Sequence, residues 1–212
     1  MDYVDLSHKI SQAMPVYPGT EGPRIDHPFT IESHGFAESK LTLFSHVGTH
    51  MDAPKHMMAQ GIGLEAFPVE QFIGKGIVLD CSKLEGKVIG IEDVRILKGR
   101  MEELAFVLIY TGWAKRWGSD GYYETCPTLS VEAAEWLSQY PLKGIGIDAI
   151  SIDTMETSTF PIHRIFMTKP MVIIENLRNL EYLIEGVFTL CALPLKFEDS
   201  DGAPIRAVAY KG

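Results

Sequence analysis

Residues 45–56 read SHVGTHMDAPKH, and three histidines and an aspartate fall within eleven of these positions: His46, His50, Asp52 and His56. Seven histidines spread over 212 residues would by chance put fewer than one in such a window. In an extended chain, even offsets share a face, so positions 46 through 56 in steps of two would all point one way. Kept straight, the stretch would reach about 33 Å at ~3.3 Å per residue, too far for a single site. Gly48 and Pro54 are where it can bend, and a bend lets His46, His50 and Asp52 converge. Neutral imidazoles with a carboxylate suit Zn²⁺, Mn²⁺ or Fe²⁺. Three ligands leave a catalytic position open instead of closing a structural zinc site, so further ligands are expected elsewhere. Any one of these histidines alone would read as an ordinary surface or core residue; the cluster points to a metal.

The rest of the chain narrows the class. Its length suits a single domain, residues 1–212, with enough buried surface to need no staples. The net charge of −9 argues against a nucleic-acid partner, which would demand Lys and Arg for the phosphates. No basic run suggests a membrane surface, and the most apolar run, Gly186 to Leu195, is far too short to span a bilayer. The start, MDYVDLSHKI, has neither a cationic nor an apolar signal region. Cys81, Cys126 and Cys191 are odd in number and widely spaced, which predicts buried free thiols. The expectation is a soluble, cytoplasmic protein acting on a small molecule.

Short runs rich in Val and Ile follow the histidine cluster at 76–81, 104–112, 144–153, 171–177 and 187–195, and these predict buried strands. The segment around 31–46 reads as extended, with Leu41 and Leu43 alternating against polar neighbours. SVEAAEWLSQYP predicts a helix with Ser130 as its cap and Pro141 beyond its end. Weaker helices are expected over 91–99 and 176–186, each closing on a glycine. The pattern gives an α/β or α+β domain in which strands outnumber helices. His8, His27 and His34 fit no metal pattern. Trp113, Trp117, Tyr122 and Tyr123 could line a pocket, although such aromatics are more often core.

HVGTHMDAPKH matches H-x-G-T-H-x-D-x-P-x-H at every fixed position. MPVYPG, YTGW (110–113), GIDAISID (146–153) and IIENL, in which Glu175 lies, follow in the same order as in the relatives. By these motifs the chain resembles the cyclase family of metal-dependent hydrolases, which includes bacterial kynurenine formamidase and isatin hydrolase. The resemblance implies an α/β swivelling β/β/α fold, with a mixed sheet curling towards a barrel and peripheral helices. It also implies a homodimer or homotetramer, and one or two divalent ions per chain, Zn²⁺ first and Mn²⁺ second. His46, His50, Asp52 and Glu175 would hold one ion. Asp52, His163 and Glu175 would hold the other, His163 and Glu175 having the twelve-residue separation of the formamidase type. Glu175 is notable without the resemblance, because a carboxylate ending the run MVII is costly unless paired or coordinated; the alternative is a strand end reaching solvent. His56 remains as the proton-transfer group, its ordinary pKa suiting work near pH 7, or else as a further ligand.

The implied reaction is hydrolysis of a C–N bond in an amide, formamide or cyclic amide, kynurenine formamidase-like. Isatin-like lactam opening and a metal-binding module without turnover are the alternatives. Two departures bear on the substrate. Tyr17 stands where formamidases of this type usually carry a tryptophan against the substrate, and FMTKP follows His163 where many relatives have a small or glycine-containing turn. No G-x-S-x-G is present, which disfavours a serine hydrolase.

Overall fold

The structure, a computed structural model, describes residues 2–84 and 88–211. In chain order its strands are β1 (Asp2–Asp5), β2 (Arg24–Phe29), β3 (Glu38–Thr42), β4 (His50–Asp52), β5 (Ile73–Asp80), β6 (Val88–Ile89), β7 (Phe106–Tyr110), β8 (Thr128–Leu129), β9 (Gly144–Ile147), β10 (Val172–Glu175), β11 (Phe188–Pro194) and β12 (Gly202–Lys211). The α-helices are α1 (Ile31–His34), α2 (Ile91–Arg95), α3 (Val131–Leu137) and α4 (Pro161–Met167).

Eight strands form the main sheet in the order β1-β12-β11-β5-β7-β9-β10-β4, and β4 also pairs with β12. That last pairing closes seven strands into a barrel and leaves β1 as a flap on β12. The run β5-β7-β9-β10 is parallel, and the closing strands are antiparallel. The mixed sheet curling into a barrel therefore stands as expected.

Strand alternation sorts the apolar residues into two cores. Phe106, Leu108, Val172, Ile174, Met51 and Leu190 fill the barrel. Val107, Ile109, Ile145, Ile147 and Ile173 point outwards and pack against helix residues such as Ala133, Leu137, Ile162 and Phe166. β9 can pass close to its neighbours only because it carries glycines inward. A Cβ on Gly144 would lie 2.7 Å from Val172, and one on Gly146 2.7 Å from Leu177.

The expected strands all form, somewhat trimmed or extended, and Ser130 caps α3 by accepting from the Ala133 amide. Three expectations need correction. The 176–186 segment is not an α-helix but a 3-10 turn over Leu180–Leu183, because Asn176 and Asn179 take positive φ values of 58° and 60° that a helix cannot accommodate. The extended reading of 31–46 fails at its start. Ile31–His34 forms a helical turn capped by the Thr30 hydroxyl and stopped by Gly35 at φ 78°, and only Glu38–Thr42 is strand. The helix expected over 91–99 is confined to Ile91–Arg95.

Candidate metal centre

The site lies on the outer face of the barrel, where β4 and β10 meet α4. β4 is three residues long. Its middle residue, Met51, points into the barrel, so His50 and Asp52 must point out. In register, Glu175 of β10 stands opposite His50 and shares its face. The turn before β4 is made by Gly48 at φ 65°, and the chain turns again after it into a 3-10 turn over Pro54–His56. These are the two bends the sequence required. His163 comes from the first turns of α4, whose start is held by Asp153: its carboxylate accepts from the Ile162 amide at 3.0 Å and the His163 amide at 2.9 Å.

Three imidazoles and two carboxylates converge. His50 Nε2 lies 3.2 Å from Asp52 Oδ1 and 3.4 Å from Glu175 Oε2. His163 Nε2 lies 3.3 Å from Glu175 Oε1 and 3.6 Å from Asp52 Oδ2. His46 Nδ1 is 2.6 Å from Asp52 Oδ1. Asp52 and Glu175 thus each face more than one imidazole, and Asp52 Oδ2 is buried with no hydrogen-bond partner among the described residues. A buried carboxylate oxygen left without a hydrogen bond is costly, and a divalent cation is what such a donor set accommodates. Among the described residues His46, His50 and Asp52 form one group with atoms close enough to share an ion, Asp52, His163 and Glu175 a second, and His46, His56 and Asp201 a third, more exposed one. The residues present therefore fit the ion.

Each imidazole is also held from behind. His50 donates Nδ1–H to the Gly48 carbonyl at 2.9 Å, and His163 donates Nδ1–H to Asp153 at 2.7 Å. His46 Nε2 meets Asp201 Oδ2 at 3.0 Å. Gly48 O accepts in addition from Asn176 Nδ2, while Thr49 Oγ1 donates to the Asn176 carbonyl and the buried Tyr122 hydroxyl to its side chain. The Ile152 amide donates to Glu175 at 2.7 Å.

Electrostatics without an ion follow from this crowding. Burial opposes charge on His50, but Asp52 and Glu175 outweigh it and lift the imidazole to about 10. Burial likewise opposes charge on His163, and Asp153, Asp52 and Glu175 raise it well above the ordinary range. Burial alone would raise Asp52; the charges of His46 and His50 hold it well below the usual carboxylate range. Glu175 is pushed up by burial and by Asp52, and its hydrogen bonds to His163 and His50 prevail to lower it. His56 differs: burial lowers it, and despite Asp52 the neighbouring His46 and His163 keep it low.

A cavity of about 310 Å³ opens above the cluster. Pro15, Val16, Tyr17, Phe44, Met57 and Phe160 wall it, and His56 and His163 face it. Every site residue picked out in the sequence reaches this cavity or its floor. Trp113 and Tyr122 are core residues, and Trp117 stacks on His8 at 3.9 Å, so these aromatics do not wall the cavity. Reasoning from sequence missed Asp153, Asp201 and Asn176. Asp153 ends the motif GIDAISID and could have been suspected there; Asp201 sits in EDSDG, which looks like any polar turn.

A barrel with an acid–imidazole centre on its outer face, beneath an apolar pocket, defines a metal-dependent hydrolase. Comparison with known proteins agrees. The Cyclase family profile matches residues 4–154. A kynurenine formamidase of Geobacillus thermodenitrificans is 30% identical over 99% of this chain and 97% of its own, and one of Bacillus thuringiensis (strain Al Hakam) is 28% identical over 98% and 96%. Among solved structures, isatin hydrolase A from Labrenzia aggregata superposes with a TM-score of 0.89 at 25% identity, covering 98% of this chain and 93% of that one. A predicted metal-dependent hydrolase from Bacillus stearothermophilus superposes at 0.81 with 28% identity, covering 98% and 97%. The chain belongs to the Cyclase family.

Proposed function

We propose that the protein hydrolyses the C–N bond of a small aryl formamide or amide, as its kynurenine formamidase relatives do, with one or two divalent ions held by His46, His50, Asp52, His163 and Glu175. The observation that carries this reading is the convergence of three back-anchored imidazoles on two buried carboxylates, one with an orphaned oxygen. Zn²⁺ is the first choice for this N/O set and Mn²⁺ the second. A bound ion would supply a polarised carbonyl and a water acidic enough to ionise near neutral pH.

The chain's own residues do the rest. Asp52 and Glu175 bring the negative charge that makes cation binding favourable, and the groups behind the imidazoles fix which ring nitrogen faces inward. Tyr17 and Phe44 offer aromatic faces to the substrate ring. His56 protonates the departing nitrogen, because an amide anion is a poor leaving group. Its ring lines the cavity, packed on His46 with centroids 3.9 Å apart and with Nδ1 3.8 Å from Asp201 Oδ2, an ion-pair distance beyond direct hydrogen-bond reach. Burial and the neighbouring imidazoles lower its pKa and favour the neutral ring, so the proton it hands to the nitrogen is one it first takes up in the attack step.

A second reading, opening of an isatin-like lactam, is favoured by one feature. Among the described residues none of those lining the cavity is Lys or Arg, which suits a compact uncharged ring. We place the enzyme in the cytoplasm as a homodimer or homotetramer, with no nucleic-acid or membrane partner. Among the described residues no helix is long and apolar enough to cross a membrane. The test is hydrolysis of formanilide, N-formylkynurenine and isatin by protein loaded with Zn²⁺ or Mn²⁺ and by chelator-treated protein. Metal-dependent turnover of at least one supports the reading; no turnover of any by the loaded protein overturns it.

A further inference from the structure

We infer that Asp201 is a positioning residue for the metal centre: it accepts a hydrogen bond from Nε2–H of His46 and so lets that ring exchange its Nδ1 proton, which points at Asp52, for an ion bound there. The inference rests on the metal-centre reading above. Its geometry is built by three features of the chain around Asp201.

The carboxylate comes from the loop before β12. Its backbone is fixed independently of its side chain, since the Asp201 carbonyl accepts from the Ala53 amide at 2.9 Å and the Ser200 carbonyl from the Leu64 amide at 3.0 Å. Gly202 lies opposite Asp52 in the β4–β12 register. A Cβ there would sit 2.5 Å from His46 Cε1, so only a glycine leaves the space in which the His46 ring stands. Within that space the ring is gripped at both ends: Nδ1 lies 2.6 Å from Asp52 Oδ1 and Nε2 lies 3.0 Å from Asp201 Oδ2.

The other two imidazoles have the same arrangement with a different polarity. Each donates Nδ1–H to an acceptor behind it and turns Nε2 to the carboxylates. His46 reverses this, because its acceptor lies on the Nε2 side. Without Asp201 the 2.6 Å contact to the Asp52 carboxylate, which can only accept, would hold the neutral ring as Nδ1–H. The Nδ1–H tautomer would aim a proton, not a lone pair, at the centre. Partners of this kind typically set 10–100-fold of metal affinity. His56 is the competing explanation, since the same Asp201 oxygen lies 3.8 Å from its Nδ1.

The experiment uses zinc-loaded full-length protein and two readouts besides turnover. In a two-bond ¹H–¹⁵N correlation spectrum, His46 should show a protonated Nε2 and a Nδ1 without a proton. In metal-free protein Nδ1 should keep its proton against Asp52 while Nε2–H still bonds Asp201, so the contact is readable even if the wild type binds no ion and the proposed function falls. In chelator competition with Zn²⁺, Asp201→Ala should weaken binding 10–100-fold, and Asp201→Asn, which keeps an acceptor oxygen, should recover most of that. In a His46→Ala background, Asp201→Ala should cost nothing further. In the zinc-loaded protein, a His46 ring protonated at Nδ1 overturns the inference, and so does undiminished zinc affinity in Asp201→Ala. So does a loss that persists without His46. If turnover falls while affinity and tautomer are unchanged, Asp201 acts on His56 and the inference is likewise overturned.

Discussion

The two halves of the centre are built from the same parts in different surroundings. On one side, His163, Asp153 and Glu175 are buried, and Asp153 serves both a helix start and an imidazole. On the other, His46 and Asp201 belong to loops at the cavity mouth, with side chains 22% and 41% exposed. Asp52 is shared between them. The deep half is part of the fold's core, so changes there should cost folding as well as metal. The mouth half is an addition to a finished barrel, where changes should cost metal or chemistry alone. The same binding chemistry can thus carry different structural obligations within a few ångströms.

The largest effect should come from the shared residue. Asp52→Ala removes the one carboxylate that faces all three imidazoles, so both halves should lose their ion and turnover should vanish. Elemental analysis and activity measured together check this; a variant that keeps one equivalent of metal would mean that the halves are independent. Next comes His56, which we assign to chemistry rather than to binding. His56→Ala should lower turnover by about 10²–10⁴-fold with metal content intact, and less for substrates with better leaving groups. Loss of metal comparable to His50→Ala would instead move His56 into the ligand set.

The difference between the halves also explains what could be read from the sequence. His46, His50, Asp52 and His56 were legible because they crowd into one stretch, where local spacing and bending decide geometry. Glu175 was legible because a carboxylate ending a run of buried apolar residues needs a partner. His163 came only with the family resemblance, for nothing local marks a histidine in the middle of PIHRIFM. The strands of the parallel run announced themselves by Val and Ile. β12, the longest strand, closes the barrel with Gly202, Ala203, Ala207 and Ala209, small residues that give no hydrophobic signal although they are what lets strands approach. Asp201 was invisible for the same reason: its neighbours Ser200 and Gly202 look like a turn, and its meaning depends on a ring 155 positions earlier.

The halves should separate most clearly at their back-anchoring carboxylates. Asp153→Ala should weaken zinc about 10–100-fold and also destabilise the metal-free protein by about 1–3 kcal/mol, because the Ile162 and His163 amides lose their acceptor in the core. Asp201→Ala should leave metal-free stability close to wild type. Equal denaturation midpoints for the two metal-free variants would erase the distinction. The pH response adds a second contrast. His50 in the metal-free fold is raised from 6.5 to about 10, so protonated His50 contributes stability that is fully present below pH 6.5 and is lost as pH climbs towards 10. The metal-loaded fold holds neutral imidazoles and gains affinity over the same range. The gap in Tm between loaded and metal-free protein should therefore widen from pH 6.5 to 9; parallel curves would show that His50 is not paired as described.

The smallest effect belongs to the cavity wall, which neither half needs for its integrity. Tyr17 lines the cavity with part of its ring exposed, and burial followed by the nearby charge of Glu175 raises its hydroxyl above the ordinary range, so it stays neutral there. It offers an aromatic face and no charge. An aromatic contact is worth about 0.5–1.5 kcal/mol beyond simple burial, which is about two- to tenfold in an equilibrium. Tyr17→Ala should therefore raise KM for aryl substrates by a few-fold, with kcat and metal content little changed. Tyr17→Trp restores the residue usual in formamidases of this type and should shift preference towards N-formylkynurenine over isatin. Because Tyr17 touches the substrate and not the ligands, zinc affinity should be the same in both variants. A change in zinc affinity would place Tyr17 in the centre's architecture; unchanged kinetic constants in both would remove it from the pocket and leave Phe44 and Phe160 as the aromatic faces to test.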